Sequence, residues 1–220
     1  MQFIVKREVL DLGLKTLGIV ITDIDNKTKS EDFLNFKTKA NEALKEKYKN
    51  FDIETDFILK GFNELHKKIG IKRRKNTPIG ESILKQFLKN DKLLEKSKLM
   101  DLYNIVTLDS RLSIAIYDID KIEGDVTLKI LEKNQTFLSV DNEERIANKG
   151  EYVYSDNKNI IYRLEVEQSN KAIITENTKN IFITIEGNEA TSNEYLMEVA
   201  SEIIELITRY CGGDADIIYK

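Results

Sequence analysis

A polar segment interrupts two apolar runs near the middle of the chain, in the stretch YDIDKIEGDVTLKI at positions 117–130. Asp118 and Asp120 alternate with apolar neighbours as in a half-buried strand, and the Glu-Gly-Asp sequence that follows is typical of a turn. Such carboxylates often do no more than cap a turn at the end of a strand. Together with Lys121, they can also form one wall of a binding pocket. This segment alone leaves both interpretations open.

A second segment concentrates positive charge, in the stretch HKKIGIKRRK at positions 66–75. Lysine and arginine side chains pair with the phosphates of nucleic acids and give an affinity that depends on salt but not on base sequence. We therefore predict RNA-backbone contacts from Lys72, Arg73, Arg74 and Lys75. The alternative is a solvated loop between helices. The run contains no aromatic residue, so it gives no support for base stacking.

Several chemistries are excluded because their residues are missing. The single histidine, His66, and the single cysteine, Cys211, cannot build a His/Cys zinc site, and the chain contains no HExxH motif. It also contains neither GxxxxGK[ST] nor GxGxxG, the phosphate-binding loops of common nucleotide folds. His66 falls in a helical pattern with no nucleophilic serine motif, which predicts a surface or core-edge histidine. We predict no metal and no cofactor, and no catalytic residue can be assigned.

Composition places the chain among folded proteins. Its 220 residues are 41% hydrophobic and 33% charged, with a net charge of −4. A chain of this length and apolar content can bury a sizeable core. Its apolar runs are too short to span a bilayer, and the N-terminus lacks the pattern of a signal peptide. We therefore expect a cytoplasmic protein without a membrane partner.

Hydrophobic periodicity divides the chain into a helix-rich and a strand-rich half. Apolar residues at spacings of three and four predict helices over 31–48, over 54–70, after Pro78 and over 96–112. Short alternating segments follow Leu112 up to Glu186, and a last amphipathic helix over Tyr195–Tyr210 covers them. This order predicts an α+β fold, with mixed or antiparallel sheets covered by helices. We expect one domain, with an N-terminal elaboration at 1–76, a motif-bearing core at 77–187 and a C-terminal helix and tail at 188–220.

Motifs within positions 77–187 follow one another in a fixed order. They are an Asp-x-x-Asn-x-x-Thr helix, a strand ending in Tyr-Asp, a Gly-Asp turn, a Gly-Glu-x-x-x-x-Asp strand and a Thr-x-x-Thr-Lys-Asn segment, at Asp101, Asn104, Thr107, Leu112, Tyr117, Asp118, Gly124, Asp125, Gly150, Glu151, Asp156, Thr175, Thr178, Lys179 and Asn180. Together they resemble the B3/4 domain of the phenylalanyl-tRNA synthetase beta subunit. More closely, the chain is similar to freestanding bacterial proteins that consist of that domain alone.

This resemblance implies a function in tRNA quality control. In the synthetase the domain hydrolyses tyrosine wrongly attached to phenylalanine tRNA, so a detached copy is expected to bind tRNA or aminoacyl-tRNA and to hydrolyse such an ester, tyrosyl-tRNA(Phe) for example, in trans. The residues implied to bind the aminoacyl group are Asn104, Ala115, Tyr117, Asp118 and Thr178. For the phenol acceptor the resemblance suggests Glu167 or Glu186 without choosing between them.

Departures from the family pattern support an alternative function. Ser113 replaces a usual proline, and Ala115 stands where the synthetase has a pocket histidine. The segment Leu164–Glu167 replaces a Trp-Asn-Trp-Arg stretch of the freestanding proteins, so a nucleic-acid contact at that place is not supported. These changes favour a noncatalytic module that binds tRNA or a small amino-acid-like ligand.

Overall fold

The computed structural model describes residues 1–72, 76–94 and 97–219. Within these ranges the chain forms six α-helices, at Arg7–Leu10 (α1), Glu31–Tyr48 (α2), Phe57–Lys68 (α3), Ile79–Asn90 (α4), Lys98–Ser110 (α5) and Asn193–Cys211 (α6). It also forms eleven strands, at Phe3–Val5 (β1), Lys15–Thr22 (β2), Ser113–Asp118 (β3), Val126–Ile130 (β4), Gln135–Leu138 (β5), Glu144–Ala147 (β6), Tyr152–Ser155 (β7), Ile160–Arg163 (β8), Glu167–Gln168 (β9), Ile181–Gly187 (β10) and Asp214–Tyr219 (β11).

Side-chain caps fix the starts of four helices. Ser30, Asp56, Ser97 and Ser192 each accept a hydrogen bond from the backbone N–H three residues later, at 3.2, 2.9, 3.3 and 3.0 Å. Each cap satisfies one of the N–H groups that a helix leaves unpaired at its start. Pro78 directly precedes α4, as its fixed φ and missing N–H allow.

The strands form three sheets. A four-stranded sheet has the order β11-β2-β10-β3, a five-stranded sheet the order β1-β4-β7-β8-β9, and β5 and β6 form a separate hairpin. The β1–β4 pair is parallel and the other strand pairs are antiparallel. The predicted α+β class with mixed and antiparallel sheets is therefore confirmed.

One face of the four-stranded sheet packs against α2, α3, α5 and α6, and we call this contact the helical core. Its buried members are mainly aliphatic side chains with two phenylalanines, including Ile19, Ile114, Ile183, Phe33, Phe62, Leu102, Val106, Val199, Ile203 and Ile207. Burying one such side chain contributes roughly 1.5–3 kcal/mol. The helical core thus holds the helices on one side of the sheet.

The other face of the four-stranded sheet packs against the five-stranded sheet. A glycine permits a close approach there, since a Cβ at Gly18 would lie 2.7 Å from the Phe3 ring. Phe3 in turn contacts Phe182 with ring centroids 5.2 Å apart. The molecule therefore has three layers, with helices, then the four-stranded sheet, then the five-stranded sheet.

The strands are not confined to the predicted segment from Ile114 to Glu186. β1 and β2 precede it and β11 follows it, and β2 pairs with both β10 and β11 inside the four-stranded sheet. Alternating and buried-type apolar runs in positions 1–22 indicate strands, but they cannot say which strands become neighbours. Positions 1–22 are therefore built into both sheets. Among the described residues, no helix is both long and apolar enough to cross a membrane.

Candidate functional site

Because side chains alternate along a strand, every second side chain of β3 points into the space between the two sheets. Ile114 enters the helical core, whereas Ala115 and Tyr117 face the five-stranded sheet. In the neighbouring β10, Thr184 pairs with Ala115 and lies on the same face, as does Glu186 two residues later. Paired residues of adjacent strands share a face, so these side chains converge.

What we call the inter-sheet layer comprises four tyrosines, two glutamates, one histidine and one alanine, namely Tyr117, Tyr152, Tyr154, Tyr162, Glu165, Glu186, His66 and Ala115. The Tyr117 ring lies 6.5 Å from that of Tyr154 and 6.0 Å from that of Tyr162. Burial raises the pKa of all four phenols well above the ordinary value. The phenols therefore stay protonated at neutral pH and act as hydrogen-bond donors.

Glu186 is fully buried in this layer. Its Oε1 accepts a hydrogen bond from the Tyr154 hydroxyl at 2.6 Å, and that hydroxyl lies 3.2 Å from the Thr16 hydroxyl. Burial raises the pKa of Glu186 well above its ordinary value, and the negative charge of Glu165 adds to the increase. The hydrogen bond from Tyr154 only moderates the effect. Glu186 is thus a buried carboxyl that retains its proton far more readily than a solvated one.

His66 and Glu165 form a second buried contact beside Glu186. The imidazole Nε2 lies 2.6 Å from Glu165 Oε1, and the side chains are 1% and 0% exposed. The Tyr152 hydroxyl donates a hydrogen bond to the other carboxylate oxygen. Of the two expected positions of His66, surface or core edge, the surface position is wrong, because α3 turns this residue inward against the end of β8.

The inter-sheet layer combines proton donors, two carboxyl groups and an imidazole without contact to bulk water. Such groups can recognise a phenol or an amine, or hold a proton in a medium of low dielectric constant. In the part of the chain that the structure describes, no group of three or more His, Cys, Asp and Glu side chains is placed to hold a metal ion. The chemistry available here is hydrogen bonding and proton exchange.

The structure brings Ala115 and Tyr117 together on the inner face of β3. Ala115 is 7% exposed and Tyr117 is fully buried, and both pack into the aromatic cluster between the sheets. The Tyr117 hydroxyl lies 3.5 Å from that of Thr184. These two predicted site residues thus belong to one environment, although the rings of the chain itself fill much of it.

Asp118 and Thr178 also meet, at the end of the same strand. The Thr178 hydroxyl donates to Asp118 Oδ2 at 2.7 Å, and Asp118 Oδ1 accepts from the Asp120 backbone N–H at 3.2 Å. Lys121 Nζ lies 3.2 Å from the same carboxylate. The opening segment is therefore a capped strand end that ties β3 to the loop before β10.

Asn104 and Glu167 lie away from Ala115 and Tyr117. Asn104 is on α5, on the helical side of the four-stranded sheet, where it lines a small recess. Glu167 is half-buried and forms ion pairs with Arg145 at 3.2 Å and Arg163 at 3.8 Å. Of the two glutamates suggested by the resemblance, Glu186 is the one inside the inter-sheet layer.

Only part of the basic run lies in the described residues. Lys72 is exposed and lines a groove of about 560 Å³ beside α3, together with Lys60 and Lys67. Arg73, Arg74 and Lys75 lie outside the described residues.

Sequence reasoning missed Glu165 as a member of the site. In the sequence, Glu165 belongs to a segment that differs from the freestanding relatives, which gives no sign of burial. Its partner His66 lies 99 positions earlier in the chain, so the sequence carries no signal that the two residues meet. Charged side chains are rarely buried without a partner, and the contact with His66 accounts for the burial of Glu165.

Comparison with known proteins identifies relatives over most of this fold. A family model described as the B3/4 domain matches residues 67–212. The phenylalanine–tRNA ligase beta subunit of Fusobacterium nucleatum is 26% identical over 141 residues, which cover 54% of this chain and 18% of that protein. The corresponding subunit of Mycoplasma pneumoniae is 31% identical over 101 residues, covering 46% of this chain and 12% of the relative. The chain therefore spans less than a fifth of these relatives.

A solved structure shares the fold. An N-terminal fragment of the phenylalanyl-tRNA synthetase beta subunit from Pyrococcus horikoshii matches 97% of this chain and 50% of its own, with a TM-score of 0.53 and 15% identity. The family match includes α4, α5, β3 and β10, which build the inter-sheet layer or support it, and it extends through α6. The resemblance inferred from the sequence motifs is confirmed, and the chain belongs to the B3/4 domain family.

Proposed function

We propose that this chain is a freestanding B3/4-type protein that binds tRNA. The observation that carries the proposal is the family match over 67–212, whose curated relatives are beta subunits of a tRNA ligase.

A lysine-lined surface supports contact with an RNA backbone. Lys60 and Lys67 lie on the exposed side of α3, and Lys72 follows in the same groove. Glu54 and Glu64 share this groove, and Glu64 lies 2.6 Å from Lys67. The remaining cationic residues of the run, 73–75, follow Lys72 directly in sequence. Release of counterions from phosphates would drive binding here.

Alanine substitutions and salt titration test tRNA binding. A variant with alanine at Lys60, Lys67 and Lys72 should bind tRNA more weakly, about equally for every tRNA. The slope of log affinity against log salt should become shallower by roughly 0.7 to 0.9 for each lysine–phosphate pair that the substitutions remove. Alanine at Lys6, Lys129 and Lys133, on another surface, provides the control. An unchanged slope in the first variant would place the tRNA interface elsewhere, and absence of tRNA binding by the parent would refute the function.

A more specific activity proposed for the chain is hydrolysis of misacylated tRNA, such as tyrosyl-tRNA(Phe), in trans. Water would attack the ester carbonyl, the bond to the ribose oxygen would break, and free tyrosine and uncharged tRNA would leave. Donors aimed at the developing oxyanion would lower the barrier. A second site that hydrogen-bonds the phenol of tyrosine can discriminate tyrosine from phenylalanine, where a first site shaped for phenylalanine cannot.

Binding without hydrolysis is the second candidate, and the inter-sheet layer favours it. Tyr117, Tyr154 and Tyr162 are at most 3% exposed, so an aminoacyl group could reach Glu186 only by displacing a packed ring. Ala115 also lacks the imidazole found in the synthetase. Incubation of the protein with tyrosine-charged phenylalanine tRNA separates the two functions. We expect the ester to decay at its spontaneous rate while the tRNA binds, and faster decay that Glu186→Gln abolishes would establish hydrolysis.

A further inference from the structure

Both ends of the segment that joins α3 to α4, positions 69–78, lie at the end of β8. The described part of this segment contributes to the groove of about 560 Å³ beside α3. We call it the lysine groove, and its lining includes Lys60, Lys67, Ile71 and Lys72. Arg163, the last residue of β8, and Glu165 hold the segment, and neither is among the described residues that line the groove. The segment is therefore held from outside the groove.

The first end of the segment is anchored through the His66 side chain. The buried contact of His66 with Glu165 fixes the last turn of α3. The His66 carbonyl accepts from the N–H groups of Ile69 and Ile71, at 3.2 and 2.9 Å. Gly70 lies between them with a φ of +75°, and a glycine in this conformation commonly ends a helix. Ile71 therefore leaves α3 in a fixed direction, at the wall of the lysine groove.

The second end of the segment is anchored at the start of α4. The Ile79 N–H donates to the Glu165 carbonyl at 2.7 Å. Glu165 thus contacts α3 with its side chain and α4 with its backbone. This one residue fixes the positions of the two ends of the segment relative to each other.

An amide bridge ties Lys72 to the five-stranded sheet. Asn76 Nδ2 donates to the Lys72 carbonyl at 3.0 Å, and Asn76 Oδ1 accepts from Arg163 Nη2 at 2.9 Å. Arg163 is itself fixed, because Glu151 accepts from its Nε and Nη2 at 2.6 and 2.7 Å. The side chains of Arg163 and Glu151 are 9% and 2% exposed, and such a bidentate pair is strong and directional. The backbone of Lys72 is therefore held by the sheet through one amide.

The residues of this bridge are poorly suited to bind a phosphate themselves. The charge of Arg163 is paired with the buried Glu151 carboxylate, and Asn76 carries no charge. Lys72, in contrast, is exposed and lines the lysine groove. Ordering a flexible segment on association costs free energy, and a segment that is already fixed avoids this cost. Any contribution of Asn76 to RNA binding must therefore act through the position of Lys72.

We propose that Asn76, held by Arg163, is a positioning residue of the lysine groove, and that it presents Lys72 beside Lys67 to the backbone of an RNA strand. This role rests on the proposed tRNA binding. It requires that the effect of Asn76 on RNA affinity disappear when Lys72 is absent, and that the bridge fix the segment even without RNA.

Amide hydrogen exchange without RNA tests the bridge. Asn76→Ala frees the Lys72 carbonyl, so the neighbouring Ile71 N–H should exchange about tenfold faster than in the parent, as expected for the loss of one hydrogen bond. Asn177→Ala, at an exposed asparagine before β10, is the control and should leave this exchange unchanged. A urea midpoint close to that of the parent shows that the fold is retained. Equal Ile71 exchange in Asn76→Ala and the parent would overturn the proposal, whether or not the protein binds tRNA.

A double-mutant cycle on tRNA binding tests the role. Asn76→Ala should weaken binding about three- to tenfold and make the salt slope shallower, although it removes no charge. Combined with Lys72→Ala, it should weaken binding no further than Lys72→Ala alone, because both act on one contact. Additive effects would show that Asn76 acts apart from Lys72 and would contradict the proposal. Absence of tRNA binding by the parent would refute the proposed function and this role together.

Arg163→Lys separates the bridge from charge. Lysine keeps the positive charge but lacks the planar fork that pairs with Glu151 and Asn76 together. We therefore expect Arg163→Lys to weaken tRNA binding as much as Asn76→Ala does, and to speed Ile71 exchange. Arg209→Lys, at a side chain that is 57% exposed on α6, is the control and should bind as the parent does. Binding by Arg163→Lys equal to that of the parent would show that charge rather than the bridge matters, and would refute the proposal.

Discussion

The two faces of the four-stranded sheet are packed by different chemistry. On one face the helical core is almost entirely aliphatic, with Ile203 and Ile207 of α6 lying against Ile19 and Ile183. On the other face the inter-sheet layer has tyrosine rings and two carboxyl groups, of which Glu186 is fully buried. The same strands serve both faces, since successive residues of a strand alternate between them.

The two faces therefore differ in how their contribution to stability depends on pH. An aliphatic contact is insensitive to pH and depends on volume and shape alone. A buried carboxyl must keep its proton or find a partner, because desolvation penalises the charged form. We therefore expect substitutions in the helical core to lower stability equally at every pH, and substitutions in the inter-sheet layer to change its pH dependence.

The largest expected effect is on the helical core. Phe62 on α3 is 1% exposed, and Phe62→Ala should lower the free energy of unfolding by about 3–5 kcal/mol, because apolar burial is removed and a cavity is left behind. Phe57 on the same helix is 60% exposed, so Phe57→Ala should change it by only about 0.5 kcal/mol. Urea denaturation at several pH values measures both. A strong pH dependence of the Phe62 effect would contradict the expected difference between the helical core and the inter-sheet layer.

Next in size is the effect of removing the imidazole from the inter-sheet layer. His66→Leu leaves the Glu165 carboxylate buried with the Tyr152 hydroxyl as its remaining side-chain hydrogen-bond partner, which should cost roughly 3 kcal/mol. Replacing both residues of the pair by leucine should recover most of this stability.

The neighbouring Lys67 provides the control for this substitution. Its side chain is 68% exposed and pairs with the exposed Glu64, so Lys67→Leu should leave the urea midpoint close to that of the parent. A double variant at His66 and Glu165 that is no more stable than His66→Leu would show that the pair is not the cause of the destabilisation.

A smaller, pH-dependent effect is expected at Glu186. Its pKa is raised in the folded protein, so the folded state holds a proton that the unfolded state releases, and stability falls as pH rises above the unfolded pKa. The slope is about 1.4 kcal/mol per pH unit for one proton, until the folded pKa is reached. Glu186→Gln removes the ionisation and should flatten this fall.

Urea midpoints between about pH 5 and about pH 8 measure the Glu186 effect. The control is Glu144→Gln, at an exposed residue of β6, which should keep the slope of the parent. Equal slopes for Glu186→Gln and the parent would show that Glu186 does not carry the coupling of folding to pH.

The smallest effect distinguishes an amide with internal hydrogen bonds from one without them. Asn188 is 1% exposed, and its amide donates to the Ile58 carbonyl and accepts from the Ala190 N–H, both at 3.0 Å. Asn188→Ala should therefore cost about 1–3 kcal/mol. Asn104→Ala should cost under about 1 kcal/mol, because it removes no internal hydrogen bond. Similar destabilisation of both variants in thermal unfolding would show that internal hydrogen bonding does not determine the cost of losing the amide.

Local pattern predicted most of the elements. The helix at Glu31–Tyr48 and the strand at Ile181–Gly187 fall where periodicity indicates them, because apolar spacing reports directly on which face is buried. The elements that escaped prediction are short or lie at the end, namely α1, β6, β9 and β11. The strands β6, β9 and β11 are mostly exposed or half-buried, so they lack the apolar alternation that marks a buried face.

The sites were less predictable than the elements. Motif resemblance pointed to Ala115 and Tyr117, which do lie in the inter-sheet layer, and it included Asn104, which lies across the sheet. A resemblance carries the order of residues but not which face of an element each one occupies.

The sequence by itself determined the family, the α+β class and the type of most elements, because motif order and apolar period are properties of neighbouring residues. Only the tertiary structure decided which distant groups meet. The contact of His66 with Glu165 joins positions 99 apart, and that of Lys37 with Asp101 joins positions 64 apart. The physical reason is that a buried charge is stable only beside a partner, and the folded chain, not local spacing, determines which partner it has.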